Sequence, residues 1–194
     1  MENILTLEST YLLDTISHFI KDGVKHVQEY EINCSDLDER FLTENIRDFS
    51  EYELMFKKLA EIEQNPCIYS FELQTNVSPD IIVEKITEFA KNSSKKIPAI
   101  KTNYPKDSNF LYVGKVNSCI WGRLITHLGF HTLKNGGNPI SSSNHGLQLY
   151  FWAKSLSLKI KFKVIPFESD MTDLMEVLER KLAKELNPII GKHI

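Results

Sequence analysis

NFLYVGKVNSCIWGRLITHL, residues 109–128, decides how the rest of the chain is read. Phe110, Leu111, Tyr112 and Val113 form an apolar, partly aromatic run of the kind that packs on a pleated surface. Gly114 follows, where a strand turns tightly or lets another group approach its backbone. Beyond Lys115 the pattern changes period. Ile120, Leu124 and Leu128 recur at helical spacing and mark a buried side, and Gly129 stops the helix. Arg123 and His127 then lie one turn apart on the same side of that helix. A guanidinium is always charged and its planar fork suits phosphate oxygens.

To either side of this unit the chain reads as mixed α and β. Upstream, CIYSFEL (67–73) is a short strand. SPDIIVEKITEFAK is a helix with Ser78 as cap and Pro79 at its first position. IPAIKTNYPKDS is a loop. Downstream, FHTLKNGGNPISSSNHG is a long polar loop, a candidate for dipping into a groove, and GLQLYFWAKS is helical. LSLKIKFKVIPF alternates strictly and is the clearest strand; SDMTDLMEVLERKLAKEL is the clearest helix. Residues 1–64 read as helices with short joints. Leu12, Leu13, Ile16, Phe19 and Ile20 recur at helical spacing. SEYELMFKKLAEIEQ is a second helix, with Ser50 and Glu53 as a capping box. The expected division is an acidic helical extension over 1–64 and a second module over 65–194.

Charge follows that division. Residues 1–64 hold 15 acidic and 6 basic side chains, whereas 65–194 hold 11 acidic and 17 basic. A basic module joined to an acidic one points to a polyanion partner for the second. Within it Lys159, Lys161 and Lys163 alternate with Ile160, Phe162 and Val164, so period two sets three ammonium groups on one sheet face. They are candidate nucleic-acid contacts, or simply a solvated face. No apolar run is long enough to span a membrane. Three widely spaced cysteines read as reduced thiols, and with no signal peptide visible the expected location is cytoplasmic.

On the last helix the apolar stripe is Met171, Leu174, Met175, Leu178, Leu182 and Leu186. Glu179 and Glu185 sit at its two edges, where a carboxylate loses hydration unless it gains a partner. The helical wheel does not choose between them. Tyr69 and Tyr112 lie on the two candidate strands, and an unaided phenol titrates near pH 10. Lys115, three positions after Tyr112, is a candidate cation to favour its phenolate.

Cys67-Ile68-Tyr69, Tyr112-Val113-Gly114, the helix with Arg123 and His127, and Glu179 ahead of Pro188 together resemble the GIY-YIG nuclease superfamily over roughly residues 66–191. The resemblance implies a small central antiparallel sheet flanked by helices, with an N-terminal helical extension in front. It selects Glu179 as ligand of Mg²⁺ or Mn²⁺, a hard cation that keeps several waters. It makes Arg123 a catalytic residue, gives His127 a less uniform site position, and matches Tyr69 and Tyr112 to the family's tyrosines. Cys67 stands where the family has its first glycine, and Gly191 where it often has asparagine. The two tyrosine motifs usually lie close enough for a hairpin. Here a stretch that includes a whole predicted helix separates them, and the strands pair across it if loop closure is cheap.

The expected function is a Mg²⁺-dependent endonuclease acting on DNA, with either tyrosine as base. Double-strand cleavage would call for a homodimer or a second binding event. Two rivals keep the sequence pattern without the chemistry. One is a catalytically inactive nucleic-acid-binding or scaffolding module. The other is a protein-binding module whose acidic N-terminal helices meet a partner protein.

Overall fold

The structure, a computed structural model, describes residues 27–131 and 145–191 together with Ser17. Apart from Ser17, the helix expected over residues 12–20 lies outside the described residues, as does almost all of the polar loop after α3. Four strands form one antiparallel sheet: β1 (Gln28–Asn33), β2 (Cys67–Leu73), β3 (Phe110–Val116) and β4 (Lys159–Pro166), in spatial order β1-β4-β2-β3. The helices are α1 (Ser50–Glu61), α2 (Pro79–Asn92), α3 (Ile120–Leu128), the single turn α4 (Leu149–Trp152) and α5 (Met175–Leu186). The fold is therefore α+β, an antiparallel sheet flanked by helices.

β2 and β3 pair directly despite the long connection between them, with Tyr69 opposite Gly114 and Phe71 opposite Tyr112. The alternation of β4 is realised in full. Ile160, Phe162 and Val164 are buried with Tyr69 and Phe71 in the main core, while the lysines between them face the other way. On that second face Ile68 and Val113 pack beneath Met171, Met175 and Ala183, so α5 covers the β2–β3 end of the sheet.

The boundary expected near Asn65 is not a boundary in space. β1, which precedes it, pairs along its whole length with β4, from Lys159 to Val164. Leu37, Phe41, Ile46, Tyr52, Phe56 and Leu59 share one core with β2 and β4. The described part of this region is thus a strand, three 3₁₀ turns and one helix built into the sheet domain. The sequence QEYEIN alternates with period two, a strand signal that the surrounding acidic composition conceals. α1 begins with Phe49 as its N-cap and makes no side-chain cap bond; Ser50 instead donates to Glu51. The capping box expected from Ser50 and Glu53 is absent because the helix starts one position earlier than that box requires. By contrast Ser78 does cap α2, accepting from the Ile81 N–H at 3.4 Å.

Candidate active site

Gly114 is the structural centre of the site. A side-chain carbon placed there would stand 2.6 Å from the Tyr69 hydroxyl and 2.7 Å from the Tyr112 ring. Only hydrogen leaves room for two phenols to meet over β3, and that requirement accounts for the glycine without any unusual backbone angle. The rings lie 6.2 Å apart between centroids.

α3 delivers the next two groups. Its buried side, Ile120, Leu124 and Leu128, seats it on the sheet. One turn apart, Arg123 and His127 then reach the same phenol. Arg123 Nε donates to the Tyr69 oxygen at 3.0 Å, and His127 Nε2 lies 3.0 Å from it. The Leu147 N–H donates to His127 Nδ1 at 3.1 Å. A backbone N–H can only donate, so Nδ1 carries a lone pair and the neutral ring holds its proton on Nε2, directed at Tyr69. Full burial, helped by the Arg123 charge, lowers the His127 pKa well below the ordinary imidazole value. It is therefore a neutral, buried member of the site, neither a surface histidine nor a cap for a carbonyl.

The segment His145–Leu147 was not legible as part of the site. Its chain passes directly over α3: a side chain on Gly146 would meet the Thr126 carbonyl oxygen at 2.4 Å. This approach lets the His145 carbonyl accept from Arg123 Nη1 at 2.9 Å while Leu147 fixes the imidazole. A glycine ahead of Leu147 and Leu149 was the sole signal in the sequence.

Glu179 lies on α5, which runs along edge strand β3. Asn187 ends that helix in the left-handed region, at φ 44°. The tail then returns to β3, where the Ile189 and Ile190 N–H groups donate to Phe110 and Leu111 at 2.8 and 3.0 Å. Held this way, Glu179 is buried to 8% exposure, near enough to both phenols for its charge to act on them. Glu185, at the other edge of the stripe, is exposed.

The two tyrosines differ. Tyr69 is sealed in the core at 1% exposure, and burial foremost, with the Tyr112 and Glu179 charges, pushes its pKa far up against the pull of Arg123. Tyr112 is half-buried; burial raises its pKa first, Arg123 counters, and Glu179 raises it again. The cation acting on both phenols is Arg123. Lys115 is not brought to them. It pairs with Ile68 and follows Gly114 on β3, so the pleat sets it on the opposite face of the sheet. The expectation that Lys115 favours phenolate is corrected on that ground.

The lysine row is also corrected. Lys161 pairs with Glu29 at 3.3 Å, and Lys163 with Glu29 at 3.5 Å and Glu72 at 2.8 Å. Register puts acidic residues of β1 and β2 beside them on both sides. Only Lys159 of the three is exposed. A phosphate would have to displace carboxylates already in place.

Among the described residues no cluster of three or more His, Cys, Asp or Glu side chains is set up to hold a metal ion. Among the described residues Glu179 is the carboxylate that acts on both phenols. That suits a hard cation held by one protein oxygen with substrate phosphate and water completing its shell. Among the described residues no helix is long and apolar enough to cross a membrane, and Cys34, Cys67 and Cys119 are free thiols. In comparisons with known proteins the chain matches no family model, no curated protein and no solved structure.

Proposed function

We propose that this chain is a divalent-metal-dependent endonuclease that hydrolyses DNA phosphodiester bonds through a GIY-YIG-type site. The observation that carries the reading is the convergence of two phenols, one guanidinium, one neutral imidazole and one buried carboxylate, from four separate parts of the sequence, over a glycine that leaves room for them.

The residues divide the work by exposure. Tyr69 is buried and its oxygen already accepts from Arg123 and His127, so it orients the guanidinium rather than meeting water. Tyr112, the more exposed phenol, first loses its own proton to solvent; as phenolate it orients the attacking water and takes its proton. The water oxygen forms the new bond to phosphorus, the ester oxygen leaves, and solvent protonates it. Arg123 offsets the charge that gathers on the phosphoryl oxygens. Its Nε and Nη1 are fixed by Tyr69 and the His145 carbonyl, so the fork is held in place before substrate arrives. Glu179 would hold Mg²⁺ or Mn²⁺, whose contribution when bound is Lewis-acid stabilisation of the phosphate and leaving oxygen.

The test is cleavage of supercoiled plasmid in Mg²⁺ or Mn²⁺ by the full chain and by Glu179→Gln. The variant should retain its circular dichroism and thermal midpoint while cleavage falls by about 10³-fold, the scale of losing a principal electrostatic contributor. Undiminished nicking by Glu179→Gln sinks the proposal.

A further inference from the structure

The connection between β2 and β3 is wired into the site. Lys96 forms a parallel bridge with His145, and the Gly146 N–H donates to the Lys96 carbonyl at 3.3 Å. A few positions on, Ile100 forms an antiparallel bridge with Ile190, and the Gly191 N–H donates to the Ala99 carbonyl at 2.9 Å. Both flanking segments touch the reacting groups. His145 accepts from Arg123. Gly191, at φ 133°, lies so close that a side-chain carbon there would sit 3.9 Å from the Tyr112 ring. Residues 96–100 are therefore a wall of the site, anchored at one end beside the guanidinium and at the other beside the accessible phenol.

The stretch that carries this wall is basic. Residues 93–106 contain four lysines and no carboxylate. Lys106 pairs with Asp80, away from the wall. Among the described residues Lys95, Lys96 and Lys101 take part in no ion pair, in contrast to Lys161 and Lys163 on the far face. Lys96 is exposed. Lys95 lies over the Phe151 ring at 4.5 Å, and burial lowers its pKa and that of Lys101. Ammonium groups that lose water without gaining a carboxylate are costly unless an anion arrives.

We propose that Lys96 and Lys101 hold the phosphates flanking the cleaved one, so that the nucleic-acid backbone runs along residues 96–101 and past Arg123 rather than across the lysine row of β4. The inference rests on the endonuclease reading for the identity of the central phosphate. It assigns the strand's path to the part of the chain that separates the two tyrosine motifs.

The experiment measures binding without turnover. Fluorescein-labelled 20-mer DNA, single-stranded and duplex, is titrated with full-length Glu179→Gln protein by anisotropy from 50 to 300 mM NaCl. Adding Lys96→Ala and Lys101→Ala should weaken binding about tenfold or more at low salt and reduce the salt slope by about two, one for each phosphate no longer neutralised. Lys96→Arg with Lys101→Arg should restore both, which separates charge from folding. Adding Lys159→Ala and Lys161→Ala instead should change affinity less than twofold. Unaltered affinity and slope in the Lys96/Lys101 pair overturns the path even if the wild-type protein cleaves. Binding that depends on these lysines without wild-type cleavage keeps the path and removes the enzyme. DNA binding that is absent at 50 mM NaCl overturns both.

Discussion

The two faces of the sheet carry cations under opposite conditions. On the far face Lys161 and Lys163 of β4 are flanked by Glu29 and Glu72 from the neighbouring strands. On the near face Arg123 is held by a phenol oxygen and a carbonyl oxygen, neutral acceptors that fix its direction without cancelling its charge. The far face is the more conspicuous in sequence, because three lysines in strict alternation are easy to see. The near face holds its guanidinium on neutral acceptors, with the Glu179 carboxylate close to the same phenols. A row of like charges is informative only when its cross-strand neighbours are known, since a pair of opposite charges on adjacent strands contributes about 0.2–1 kcal/mol and cancels the field locally.

The severest challenge to this contrast is at Arg123. Arg123→Lys keeps the charge but loses the fork, so cleavage should fall about 10²–10³-fold in steady-state assays. A loss under threefold would mean that charge alone suffices and that the fixed geometry is incidental. Tyr112 and Tyr69 refine the assignment next. With a phenolate base, log kcat should climb with pH across the neutral to mildly alkaline range with slope near one, because the phenol is raised above its ordinary value and stays mostly protonated. Tyr112→Phe should flatten that profile, whereas Tyr69→Phe should lower the rate but keep the slope. The reverse pattern would transfer the base role to the buried tyrosine.

Gly114→Ala probes the crowding that brings the phenols together. With a carbon forced to 2.6 Å from the Tyr69 oxygen, urea denaturation should show a loss of about 1–3 kcal/mol, the range for overpacking. An unchanged midpoint would show that the rings move aside freely.

His127 gives a smaller, pH-dependent effect. Its folded pKa is depressed, so below the ordinary imidazole value the unfolded chain binds a proton that the native state refuses. Stability should therefore hold above about pH 6.5 and decline as pH falls below it, by at most about 1.4 kcal/mol per pH unit from this group. His127→Gln should show a shallower decline between pH 6.5 and 5 in chemical denaturation. Equal slopes would mean that the ring is protonated in the fold. The far face should respond least of all. Lys161→Ala should alter neither cleavage nor DNA affinity by as much as twofold, since Glu29 already engages that ammonium.

Much of this was legible in one dimension. The strand–glycine–helix unit, the cap of α2 and the alternation of β4 follow from local propensity and period, and all are realised. The misreadings share a cause. β1 was hidden in acidic composition because its partner, β4, is remote in the chain. Lys115 is near Tyr112 in sequence, but the pleat turns it to the opposite face of the sheet. IPAIKTNYPKDS read as a plain loop because its backbone bonds go to a distant segment, around Ile190.

Local sequence was enough to show which residue types are present and where the chain is extended or helical, because those depend on neighbours within a few positions. The grouping of Tyr69, Tyr112, Lys115, Arg123, His127 and Glu179 came from the family resemblance, and the fold removes Lys115 from it. Folding in three dimensions was needed to choose which phenol meets solvent, which lysines are paired with carboxylates, and which carbonyl and amide fix the guanidinium and imidazole. Burial and charge pairing are properties of what lies across a space, and strand register and helix docking choose those neighbours.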